Sequence, residues 1–427
     1  MMVRFAVWVH RWEGLIMLPV VVALLFPTPV SSLALVVLPL LFLLRRLHRP
    51  DFLPATPFNL TLLLLLLALL LSFTVTFDIT LSFPKIAGLL VGITLFFVAD
   101  SYARRGPRYV AGIAGIFLLA GGSMALFGLF GVHWTGVAAP LDRLKTWLPG
   151  GLENAGSRGL VNPNELAGIL DWLLPFAFGL WIGFWHERRR IPWLILLLPL
   201  AATAALLLAT RSRAGILSAA LALLLIFTIQ SQGIRRIRGR RRLLMGVILT
   251  GAAITLIVIL NATLKGAAQQ AEISLSWAGR MEIWTRAIYA LRDFPLTGIS
   301  MNGFRVVVHT LYPLFLISPE IDLGHAHNQL LQAGLDLGFM GMTAYLALWL
   351  TSGVLLWQSW QRAPATALPL RALILALCGA LAGSWLFGLI DAISLGARPG
   401  FLWWLLLALV VAAHRESARH ATETGPS

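Results

Sequence analysis

The sequence predicts an all-α, polytopic membrane protein, and three observations carry that prediction. Hydrophobic residues make up 58% of the chain and charged residues only 12%, against about 25% charged in soluble domains. Mean hydropathy is +0.83. The apolar runs, such as Leu62 through Leu67, are continuous, whereas a membrane β-barrel requires strict alternation. Together these exclude a soluble domain.

Taken in order, the chain opens with a basic, aromatic segment from Met1 to Glu13. The run behind it lacks a small-residue cleavage site, so the first span is expected to stay as an anchor. Apolar runs then predict twelve spans, near 14–27, 30–44, 58–73, 84–99, 109–130, 164–185, 192–209, 214–230, 243–261, 328–356, 369–390 and 400–413. Several fall short of the roughly 20 residues an untilted helix needs. An even number returns both termini to one side. Arginine clusters at Arg45-Arg46, Arg104-Arg105, Arg188 to Arg190 and Arg235 to Arg242 fall in alternate connections, and the positive-inside bias then sets both termini in the cytoplasm. The net charge of +15 is explained by this topology, and no nucleic-acid partner is expected. Cys378, the single cysteine, lies in an apolar run and reads as a packing residue. We expect one polytopic domain, 1–427, with residues 262–327 forming a long outer loop between the ninth and tenth spans.

That loop holds most of the residues able to do chemistry. From Ile273 to Leu291, Trp277, Met281, Trp284, Ile288 and Leu291 recur at helical spacing, with Arg280 beside them. Pro295 and Gly298 should end that helix. At the loop's return, His325-Ala326-His327-Asn328 leads into a helix on which Gly334, Gly338 and Gly341 share a face, allowing close approach by a neighbour. Asn328 is placed to cap it. An imidazole here is a competent proton acceptor. A second polar cluster, Arg211-Ser212-Arg213, separates two spans on the outer side, against the inside-positive trend. It reads either as a turn at the lipid headgroups or as an anion site, because the guanidinium fork matches phosphate oxygens; Arg280 admits the same two readings. Zinc bound by the histidines with Glu320 or Asp322 is disfavoured, since no cysteine assists and the spacing matches no closed motif. No metal and no cofactor are therefore expected. Asn162-Pro163-Asn164 reads as a turn and cap. Glu165 and Asp171, near the start of a span, are costly unless they face a cavity, with helix capping the expected task of Glu165.

Four of these blocks resemble the superfamily of O-antigen ligases and polymerases, bacterial envelope glycosyltransferases. They are Gly156 through Asn162-Pro163-Asn164, Thr210-Arg211-Ser212-Arg213, Gly279-Arg280 through Trp284 to Gly298 and Gly303-Phe304, and His325 through His327-Asn328 to Gly338. They occupy roughly residues 156–350; the earlier spans agree only in topology. Asp336 stands where the family often has glutamate. The resemblance implies a GT-C-like, metal-independent, inverting transferase of the inner membrane, with its active site facing the periplasm. Its donor would be a glycan on a polyprenyl (undecaprenyl) diphosphate, and its acceptor a sugar hydroxyl. His327 would take the acceptor proton with His325 in support, while Arg213, Arg211 and Arg280 hold the diphosphate. Asn164, Trp284 and Asn328 would contact substrate. Ligation to lipid A–core, as in lipopolysaccharide assembly, is the first expectation within this chemistry. Polymerisation of repeat units and transfer to a protein hydroxyl differ only in the acceptor. Two other classes compete: a transporter of anions or small solutes, against which stands the absence of a visible inverted repeat, and an assembly protein without activity, which would leave these cations and histidines idle.

Overall fold

A computed structural model describes residues 54–132, 161–186, 190–232, 277–393 and 395–423, with isolated positions at 8, 9, 12, 16, 134 and 141. The described chain is helical: α1 (Asn59–Phe73), α2 (Ile79–Ala103), α3 (Pro107–Gly131), α4 (Pro163–His186), α5 (Arg190–Ala209), α6 (Arg213–Gln232), α7 (Trp277–Asp293), α8 (Phe304–Leu311), α9 (Gln329–Arg362), α10 (Leu368–Gly388) and α11 (Phe401–Glu423). Nine of the twelve expected spans coincide with helices. Among the described residues seven are long and apolar enough to cross a membrane, while α1 and residues 196–209 of α5 are shorter apolar helices. The runs 14–27, 30–44 and 243–261 lie outside the described residues apart from Ile16.

Local chemistry sets where the helices begin. Asp78 caps α2 by accepting from the Thr80 and Leu81 amides at 2.8 and 3.1 Å. Asn162 Oδ1 accepts from the Asn164 amide at 2.8 Å and Pro163 supplies the first residue of α4, which realises the expected turn and cap. In α1 one leucine stripe, Leu62, Leu65 and Leu69, is buried, while Leu60, Leu63, Leu67 and Leu70 are exposed. A helix apolar on both its inner and outer faces belongs in lipid. Centrally, α4 packs along α10, which also meets α6; α11 packs on α2 and α9, and α1 lies on α9.

The helix ends sort into two faces. The starts of α2 and α9 and the ends of α1 and α10 gather at one: Asn302 Nδ2 donates to Leu81 O at 3.0 Å, Ser72 Oγ to Asp336 O at 2.6 Å and Asn328 Nδ2 to Leu389 O at 3.1 Å. At about 1.5 Å per residue, the other ends of α2 and α9 lie tens of ångströms away. There buried Asp100 accepts from Arg104 at 2.8 Å and from Arg415, and Arg362 sits beside His414.

The glycine face on α9 takes the expected neighbouring helix at Gly334, where Leu291 of α7 packs, and a loop at Gly338. Gly338 is left-handed (φ +67°) and interrupts the helix, freeing backbone groups that the segment after α7 takes up. Ile299 N–H donates to Leu335 O at 2.7 Å, and Phe339 N–H donates to Pro295 O at 2.8 Å. A Cβ at Gly338 would collide with the Leu296 carbonyl. The small residues thus admit α7 at Gly334 and the loop after it at Gly338. Gly338→Ala is expected to destabilise the protein by about 2 kcal/mol or more, the left-handed cost alone being about 1–2 kcal/mol. Thermal unfolding in detergent reads this, with Gly353→Ala as control because a Cβ there meets nothing within 4 Å. Equal unfolding temperatures for the two variants would remove the interlock from the account.

Candidate active site

Helix α7 forms where the spacing predicted one, from Trp277, and ends at Asp293 before Pro295; residues 273–276 lie outside the described set. Its buried face is Gly279, Ile283, Ala287, Ala290 and Leu291. The expected aromatic stripe turns largely outward: Trp277, Met281 and Ile288 are exposed. Small residues win the inner face because α7 lies close on α9, with Leu291 against Gly334. This leaves Trp284 half-buried at the edge, donating its Nε1–H to His327 O at 3.3 Å.

The loop before α9 is fixed residue by residue. Asn328 Oδ1 caps the helix, accepting from the Leu330 and Leu331 amides at 3.0 Å each, and its Nδ2 binds Leu389 O. Both ends of the Asn328 side chain are thereby engaged inside the protein. His327 is left-handed (φ +47°), a conformation costing a non-glycine residue about 1–2 kcal/mol. Its surroundings hold it there: its N–H donates to His325 Nδ1 at 3.2 Å and its carbonyl takes the Trp284 indole.

Asp391, from the turn after α10, completes the centre and was not among the residues singled out from sequence. It is 3% exposed. Its Oδ1 lies 3.1 Å from His327 Nδ1, 3.7 Å from His325 Nε2 and 2.8 Å from the Ala392 amide. Burial opposes its ionised form, but the His327 hydrogen bond and the two imidazoles outweigh burial and hold the carboxyl below the usual range. An ionised Asp391 can only accept, so His327 carries its proton on Nδ1 and keeps the Nε2 lone pair. His325 differs. Its Nδ1 already accepts the His327 amide, so its proton sits on Nε2, towards Asp391. Burial chiefly, then His327, Lys85 and Arg305, push His325 down to about 4 against the pull of Asp391, so it is neutral at pH 7.

The cations divide. Arg280 is half-buried, and its Nε has no hydrogen-bond partner among the described residues. Burial lowers its pKa, with Asp391 opposing and Arg213 adding to the effect. Arg213, first residue of α6 and exposed, is therefore close enough to Arg280 for like charges to act on each other. Arg211 occupies a left-handed turn position (φ +53°) and is exposed; the charges acting on Arg280 are those of Asp391 and Arg213. Asn164 is half-buried in the first turn of α4. Glu165 stands in the same turn, and Asp171 is fully buried, accepting from Ser218 Oγ at 2.5 Å. Asp336 is fully buried too, its Oδ1 accepting from the Asn302 amide at 3.1 Å and from Gln332 Nε2 at 2.9 Å.

Of the carboxylates weighed as metal ligands, Asp322 pairs with Arg305 at 3.1 Å and is 67% exposed, and Glu320 is exposed. Asp391 is instead the acid that gathers with His325 and His327, each offering one ligand atom within 4.8 Å of the others. The trio can thus orient a base or hold a cation.

In a comparison with protein families, residues 198–346 match the model described as O-antigen ligase. The match takes in the Arg211–Arg213, Arg280 and His325–Gly338 blocks and supports the O-antigen ligase superfamily for this chain; the Asn162–Asn164 block lies before it. It points to a membrane glycosyltransferase of ligase or polymerase type. A comparison with curated proteins gives no match.

Proposed function

We propose that the protein is a ligase-type glycosyltransferase that moves a glycan from a polyprenyl diphosphate to a sugar hydroxyl, lipid A–core or similar, at the periplasmic face of the inner membrane. The observation that carries this reading is the convergence of Arg213, Arg280, Asp391, His325 and His327 on one end of the bundle. Placing arginine-paired Asp100, Arg362 and Arg415 at the opposite end supports both termini in the cytoplasm.

The chemistry follows from the tautomers. His327 Nε2 accepts the proton of the acceptor hydroxyl as its oxygen bonds to the anomeric carbon. The bond from that carbon to the diphosphate oxygen breaks, and its electron pair leaves with the polyprenyl diphosphate. Attack from the face opposite the leaving group inverts the anomeric centre. Arg213 and Arg280 meet the charge that grows on the diphosphate, the task an electrostatic clamp performs best where water is scarce. Asp391 keeps the His327 ring in its productive tautomer and stabilises the imidazolium that forms. Arg211, Asn164, Trp284 and Asn328 fall to substrate and loop placement, with Trp284 acting through the His327 carbonyl.

Proteoliposomes supplied with a labelled lipid-linked oligosaccharide and lipid A–core test this directly. Label transferred once to lipid A–core is expected; a ladder of repeats would make the protein a polymerase, and label on protein would make it an O-oligosaccharyltransferase. Solute uptake without any transfer would replace the enzyme with a transporter. The three ligand atoms within 4.8 Å support a second, metal-assisted reading. We expect turnover to survive EDTA; loss with EDTA and recovery with zinc would establish that second reading instead.

A further inference from the structure

His327 and Asp391 meet at 3.1 Å, yet each stands outside the helices, one just before α9 and the other just after α10. Two buried carboxamides in the first turn of α9 reach both segments. Gln329 Nε2 donates to Trp385 O, in the last turn of α10, at 3.2 Å. That carbonyl needs a donor. The Leu389 N–H, which would serve it in a continuing helix, donates to Leu386 O at 3.3 Å instead. The Gln329 side chain lies against Gly388, where a Cβ would collide with its amide. Gln332 takes the histidine segment: its Oε1 accepts the N–H of Ala326, between the two histidines, at 2.8 Å.

Each carboxamide is held by a second bond of its own. Gln332 Nε2 donates to Asp336 Oδ1 at 2.9 Å. Gln329 Oε1 accepts from the Tyr345 hydroxyl at 3.0 Å, sixteen residues further along the chain. An unbroken helix would separate those two residues by about 24 Å. The break at Gly338 brings the start of α9 back beside Tyr345, so the interruption serves the site as well as the loop after α7. We propose that Gln329 and Gln332 are positioning residues, which tie the Asp391 and His327 segments to one helical turn and so set the distance at which the carboxylate steadies the imidazole. This rests on the glycosyltransferase reading above for its effect on rate. In the rival arrangement both glutamines serve the fold alone, since any buried carboxamide must find partners.

The experiment uses the full chain in lipid nanodiscs and measures kcat and both KM values with a labelled lipid-linked oligosaccharide. Gln329→Leu is expected to lower kcat by about tenfold to 10²-fold, with donor and acceptor KM little changed, as misplacing a catalytic group by about 1 Å does. Gly388→Ala should do the same by displacing the amide without removing it, and it carries the test if Gln329→Leu does not fold. With Asp391→Asn already present, neither substitution should cost more than about twofold, because the loss passes through that carboxylate. Gln332→Met should act alike, its loss vanishing when His327→Ala is already present. Equal losses in both backgrounds, or a lowered unfolding temperature with kcat intact, would overturn the positioning role. NMR with isotope-labelled histidine gives a readout independent of transfer. The His327 Nδ1–H signal, identified by its loss in His327→Ala, should move in Gln329→Leu and in Gly388→Ala; an unmoved signal would equally overturn the role. Absence of transfer by the wild type would count against the glycosyltransferase reading, while that signal would still decide for or against the two glutamines.

Discussion

His327→Ala is expected to lower glycan transfer by about 10²–10⁴-fold, the usual worth of a positioned general base, while the protein still folds and inserts. The expectation comes from counting lone pairs. His325 has none to offer, because Nδ1 accepts a backbone amide and Nε2 points to Asp391; His327 keeps Nε2. His325→Ala should therefore cost far less, about tenfold, through lost support for the His327 backbone. Asp391→Asn leaves the shape but lets the amide donate to His327 Nδ1, which moves the ring proton to Nε2 and blocks the base. Its kcat should fall towards the His327→Ala level with donor KM little changed. Single-turnover rates on the three variants order them. If His325→Ala proved the more damaging substitution, the base would have to be reassigned.

Much of this was legible in the sequence because lipid imposes simple rules. Nine apolar runs became helices, with α11 running on to Glu423 past its expected end at 413, since no span can leave its backbone groups unpaired in hydrocarbon. Asn328 and Asn162 were readable as caps because side-chain capping is local. What could not be read in advance was not local. Which face of α7 turns inward depends on how close α9 comes, and the small residues Gly279, Ala287 and Ala290 outcompeted the aromatic stripe for that contact. The Gly334–Gly338 face was visible, yet the break at Gly338 requires a partner segment from forty residues earlier. Asp391 lies 64 residues from His327 and no spacing connects them. One signal existed: a lone carboxylate where an apolar run meets the outer face is costly enough to have a task.

Arg280→Gln is expected to reduce kcat by about 10²–10³-fold, on the scale of removing one donor from a preorganised anion clamp, without lowering thermal stability. The two halves of this prediction are linked. Among the described residues Arg280 Nε has no partner to lose; burial first disfavours its charge, Asp391 favours it, and Arg213 repels it when no anion lies between them. Removing the Arg280 charge relieves its burial cost and that repulsion, which together outweigh the lost attraction of Asp391, so the unfolding temperature of the ligand-free protein should hold or rise slightly even as activity collapses. A stability cost retained for function is the mark of a binding site rather than a structural ion cluster. Arg213→Gln should behave alike. The double variant should lose less than the product of the two single losses, because both guanidiniums act on one diphosphate and their effects cannot be independent. Arg280→Lys should recover only part of the rate, since a point charge does not reproduce the two-pronged fork. Multiplicative losses in the double variant, or a clear drop in unfolding temperature for Arg280→Gln, would place the arginines on separate tasks and take the diphosphate away from this pair.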